Sequence, residues 1–116
     1  MKLPNPQLAV VDIAKLRDYC LNPQHEEGKH KAKVFAAALG IGRSDVEWLR
    51  GRLLDIVSEE AVLMTESQFG RLYFIDALLE TLHGSAKIRS GWIVRAGENF
   101  PRLTTCFVLK EGGRTE

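Results

Sequence analysis

The chain has no apolar run near the roughly 20 residues that a membrane-spanning helix needs. Its longest, Val34 to Leu39, stops at Gly40. The start, Met1-Lys2-Leu3-Pro4-Asn5-Pro6, has no apolar stretch of signal-peptide length. The expectation is therefore a cytoplasmic protein with no membrane partner, unless a larger parent or a dedicated machine exports it. Cysteine is scarce. Cys20 and Cys106 form no Cys-x-x-Cys pair, which excludes a zinc knuckle and a thioredoxin-type site, and both read as reduced, buried thiols. Charge of one sign is missing too: 16 basic and 15 acidic residues leave a net charge of +1, where a general polyanion binder is usually more basic. There is no Walker loop, no Gly-x-Ser-x-Gly, no His-Glu-x-x-His and no internal repeat. His25 and His30 flank Glu26-Glu27, but a loop fixes metal ligands poorly, so neither a metal nor a cofactor is expected.

What remains is ordinary globular material. The 116 residues are 45% hydrophobic and 27% charged, which suits one domain with one core. Prolines 4 and 6 predict an extended arm over 1–10. Asp12 is a good N-cap for a first helix carrying Ile13, Leu16 and Tyr19, which Asn22-Pro23 ends. Ala32, Phe35, Ala36 and Leu39 repeat at helical spacing and predict a second helix over 29–39, closed by Gly40. Ser44 and Glu47 have capping-box spacing and open a third helix to about Val57, with Glu47, Arg50 and Glu59 facing water.

After Glu60 the period changes from 3.6 to 2. Strands are expected over 61–64, 72–79, 86–95 and 103–109, with a turn at 67–70 and a hairpin connection at 81–85. The division is a 1–10 arm, an 11–60 helical part, a 61–110 antiparallel sheet and a 111–116 loose tail. The fold class is α+β: about three N-terminal helices packed on one face of a four-stranded antiparallel meander whose other face is open.

Two zones carry base without acid. One holds Lys29, His30, Lys31, Lys33 and Arg43; the other holds His83, Lys87, Arg89 and Arg95. Together they can hold one anionic group. Placing Lys29, His30 and Lys31 in the first turn of a helix is unfavourable against the helix dipole, and a local cost of that kind invites a functional reading. In the third strand, Trp92 beside Gly91 suggests a buried anchor with close backbone packing, while Arg89 points to the opposite face and suits a phosphate. Arg102 and Thr104 share a strand face.

These residues carry a resemblance. Leu3-Pro4-Asn5, Ala9-Val10-Val11-Asp12, Leu21-Asn22-Pro23, Gly28-x-His30-Lys31-Ala32-Lys33-Val34-Phe35, Phe69-Gly70-x-x-Tyr73, Arg89-Ser90-x-Trp92-Ile93-Val94 and Pro101-Arg102-Leu103-Thr104 resemble an uncharacterised bacterial domain family. That family occurs free-standing and at the C-terminus of filamentous-haemagglutinin-like polymorphic toxins. It is similar to the barnase, EndoU, colicin and RelE-like (BECR) superfamily of metal-independent ribonucleases. The resemblance implies a BECR-like fold and an endoribonuclease toxin that cleaves RNA by 2′-hydroxyl attack.

Such cleavage needs a base, an acid and donors for the phosphoryl oxygens. His30, Lys31, Arg89 and Thr104 are the expected catalytic set: His30 for the proton, since imidazoles generally titrate near neutrality, Lys31 and Arg89 for charge, and Thr104 for orientation. Lys29, Ser90 and Arg102 are the expected substrate-binding residues. RNA and a neutralising antitoxin or immunity protein are the expected partners. The alternative is a non-catalytic RNA- or protein-binding module on the same fold.

Overall fold

The computed structural model describes residues 1–109; the expected tail, 111–116, lies outside the described residues. Three helical segments precede a four-stranded antiparallel sheet in the order β1-β2-β3-β4, an α+β arrangement. The first helical segment is α1 (Ile13–Lys15), which widens at once into a π-helical turn (Leu16–Cys20). Asp12 caps it, its carboxylate accepting from the Ala14 amide at 3.0 Å. Helix α2 spans Lys29–Leu39 and buries Ala32, Phe35 and Leu39 at helical spacing. It ends where Gly40 turns left-handed (φ 69°), a conformation that costs glycine little. Helix α3 spans Val46–Ile56 and buries Leu49, Leu53 and Ile56.

Two expectations at α3 are corrected. Ser44 is not the cap: a 3₁₀ turn over Arg43–Asp45 precedes the helix, and the Asp45 carboxylate accepts from the Gly42 amide at 2.9 Å. A carboxylate reaches one turn back to an open amide, and Asp45 is placed to do so where Glu47 is not. Arg50 does not simply face water, because its Nε donates to the Val11 carbonyl at 3.0 Å and ties α3 to the N-terminal segment. That segment is also less plain than an extended arm. It makes a 3₁₀ turn at Pro6–Leu8, and Val10 bridges in parallel to Arg102.

Three strands run longer than their apolar patterns, β1 (Val62–Ser67), β2 (Gly70–Thr81) and β3 (Gly84–Arg95), while β4 (Arg102–Val108) has the expected length and starts one residue earlier. Two-residue loops join β1 to β2 and β2 to β3. The inner sheet face presents Tyr73, Ile75, Leu79, Ile88, Trp92, Leu103 and Cys106 to the helices, and all are buried. The hydrophobic effect thus fixes the register, since a one-residue slip moves this whole set to water. β1 is exposed throughout and bulges between Leu63 and Thr65.

Candidate cationic cleft

The residues expected to form the site fall into three groups. Arg89 alternates away from Ile88 and Ser90, so it lies on the open face. It is already engaged: Nε and an Nη donate to the two oxygens of Asp76 at 2.8 and 2.9 Å, and the guanidinium stands 5.0 Å from the Phe74 ring centre. These hydrogen bonds hold the Asp76 carboxyl below the usual carboxylate range, against partial burial. Arg102 is tied the same way, to both oxygens of Glu98 at 2.9 Å. The Thr104 hydroxyl lies over Gly91: a methyl group on that glycine would come within 2.7 Å of it. The ladder slips at this point, because Gly91 faces Thr105 while Trp92 faces Leu103, leaving Thr104 as the extra residue of a bulge.

Ser90 belongs to the core and not to a binding surface. It is fully buried, accepts from the Trp92 indole at 2.8 Å and donates to the Ile75 carbonyl at 3.2 Å. A buried indole N–H needs an acceptor, and Ser90 supplies it. The anchor reading of Trp92 holds; a substrate role for Ser90 does not.

The third group surrounds α2. Lys31 donates to the Tyr19 hydroxyl at 2.9 Å and lies 5.7 Å from the Phe107 ring centre at the β4 edge. Beneath it, Cys20 and Cys106 are buried free thiols. The contact with Cys106 pulls the Cys20 thiol down to about 7, helped by the charge on Lys31 and opposed by burial. The same contact and full burial push Cys106 upward.

His25 has a structural task that its spacing did not reveal. Its Nδ1 accepts from the amides of Glu27 and Gly28 at 3.0 and 2.9 Å, capping the entry to α2, and its ring meets Tyr19 edge-on. Among the described residues, no group of three or more His, Cys, Asp or Glu side chains is placed to hold a metal ion.

His30, Lys29, Lys33 and Arg43 do come together. They line a cleft of about 590 Å³ whose floor is the buried Leu21, Ala32 and Ile41, with the exposed Ala36 beside them. Among the described residues, no acid lines it. Lys29 reaches Glu26 only at 4.0 Å, and Arg43 shares Asp18 with Arg17. These are exposed, weak pairs that leave the cations available. His30 stands on the ridge between this cleft and a shallow groove of about 230 Å³ lined by Lys31, Val34, Phe107 and Val108.

The expected four-residue catalytic set is therefore not gathered at one point. His30 lies on the helix layer and Arg89 on the far face of the sheet; Lys31, with His30 beside it on the same groove, reaches only the sheet edge where Phe107 is the cross-strand neighbour of Arg89. Arg43 was visible only as part of a basic zone, and spacing did not join it to α2. The cap at Gly40 and the turn to α3 fold it back beside Lys33.

Fold and site together define an α+β domain with a cationic cleft, lined by no acid among the described residues, at the start of its second helix. By sequence the chain belongs to the family described as Domain of unknown function (DUF6883), whose model matches residues 2–110. Neither a curated protein nor a solved structure gives a match. No helix among the described residues is long and apolar enough to cross a membrane.

Proposed function

We propose that this domain binds RNA, holding the phosphate backbone in the cleft rimmed by Lys29, His30, Lys33 and Arg43. One observation carries the reading: four basic side chains converge on a concave surface that no acid lines among the described residues, while Arg89 and Arg102 are spent on Asp76 and Glu98. Phosphate contacts dominate the affinity of such surfaces. The apolar floor gives a ligand with flat faces a place to rest. The cytoplasm is the compartment that suits this ligand.

The toxin reading, a metal-independent endoribonuclease of BECR type, rests on the resemblance and on one feature of the site. His30 is the imidazole at the cleft rim, beside Lys29 and Lys33, where a proton-moving group and charge donors meet. A neutralising antitoxin or immunity protein would then present an acidic surface to this cleft.

Fluorescence anisotropy with a labelled single-stranded RNA tests binding. The wild type is expected to bind, and the Lys33→Gln/Arg43→Gln double variant to bind roughly tenfold more weakly or worse at low salt, as loss of two phosphate contacts requires. Equal affinity of the two proteins would overturn the cleft. The same RNA incubated with the protein in EDTA tests the toxin reading. Cleavage that His30→Ala abolishes supports it, and intact RNA leaves a binding module.

A further inference from the structure

The cationic cleft does not end at Arg43. Ile41 also lines a second cleft of about 540 Å³, walled by Gly40, Asp45, Trp48, Glu80 and His83 among others. Trp48 lies on α3 beside the buried stripe of Leu49, Leu53 and Ile56, and 38% of its surface is exposed. His83 sits at the tip of the β2–β3 hairpin with its ring against Gly40; a side chain on that glycine would come within 2.5 Å of the imidazole. Two flat rings therefore border the second cleft, and the link between the clefts is held by the Asp45 carboxylate on the Gly42 amide.

The two clefts differ in charge. The first is lined by Lys29, His30, Lys33 and Arg43 and no acid among the described residues; the second is lined by Asp45 and Glu80. A phosphate is drawn to the first and repelled from the second. A neutral, flat group suits the second, where Trp48 offers a stacking face.

We infer that the two clefts form one track for a single-stranded RNA segment, with a phosphate at Lys29, Lys33 and Arg43 and the adjoining base stacked on Trp48. The inference rests on the RNA-binding reading and adds the strandedness of the ligand and the residue that holds its base. A duplex keeps its base faces stacked inside, so a tryptophan platform selects unpaired bases, and every base has a face to offer it.

Trp92, the other tryptophan, is fully buried, so a ligand-induced change in emission reports on Trp48. The test compares a six-nucleotide single-stranded RNA with inorganic polyphosphate, which has the charge and lacks the bases. RNA is expected to quench the emission. Polyphosphate is expected to displace labelled RNA without quenching. Trp48→Ala, checked for folding by circular dichroism, is expected to lose about tenfold or more in RNA affinity and none for polyphosphate, and Trp48→Phe to keep most of the RNA affinity. RNA that binds by anisotropy with unchanged emission, and equally to Trp48→Ala, would overturn the stacked base and leave RNA binding standing. Failure of RNA to bind at all would overturn both.

Discussion

The open face of the sheet and the cleft at the start of α2 both carry arginine or lysine, and they use it differently. On the open face, Arg89 and Arg102 each meet both oxygens of a carboxylate at 2.8 to 2.9 Å, from Asp76 and Glu98. At the cleft, Lys29 has a single carboxylate 4.0 Å away and Arg43 a shared one at 3.3 Å. Two-pronged arginine–carboxylate pairs fix geometry and consume the donors. Weakly paired cations around a concave surface leave a positive field that a ligand completes. A basic residue in the sequence is thus a poor guide to a binding site until its partner is known.

If the sheet is structural, damage to it appears in stability and not in binding. The largest effect is expected from Trp92→Ala, which empties the centre of the core. Urea denaturation should show a loss of about 3–5 kcal/mol. Ser90→Ala comes next. It leaves the buried Trp92 N–H without its acceptor and should cost about 1–3 kcal/mol, with RNA affinity unchanged. An unchanged stability together with weakened RNA binding would return Ser90 to the binding surface.

Asp76→Asn should have the smallest effect, about 0.5–1 kcal/mol, because the pair with Arg89 is about a third exposed and screened by solvent. The sign with pH is fixed by the direction of the shift. Arg89 lowers the folded carboxyl below its unfolded value of ~3.9, so the advantage of the wild type is full above that value. It is lost as pH falls through the lower folded value. Urea midpoints for both proteins between pH 7 and pH 2 should converge at the acid end; a gap that widens there would mean that Arg89 is not the partner that matters.

Much of the fold was legible from residue order. Helix α2 ran from Lys29 to Leu39 as its apolar spacing and Gly40 required, and the β3 alternation put Ile88 and Trp92 inward and Arg89 outward. Features decided by tertiary contact were not legible. The π turn at Leu16–Cys20, the bulge at Thr104 and the reach of Arg50 to Val11 leave no periodic trace. The site was half legible. The basic start of α2 stood out, but its joining to Arg43 depended on a chain reversal.

The pairing of Arg89 does leave a trace in residue order. With Leu82-His83 as a two-residue loop, counting back equally along both strands sets Asp76 opposite Arg89, so the spacing itself marks Arg89 as a paired residue. Trp48 leaves a similar trace, a large aromatic just off the buried stripe of its own helix.

The most direct test of the cleft is the salt dependence of RNA binding. For single strands the slope of log K against log salt falls by about 0.7 for each phosphate contact removed. Lys33→Gln and Arg43→Gln should each flatten the wild-type slope by about that amount, and Arg89→Gln should leave it unchanged. A slope that Arg89→Gln flattens and the two cleft variants do not would place the RNA on the sheet and contradict the account.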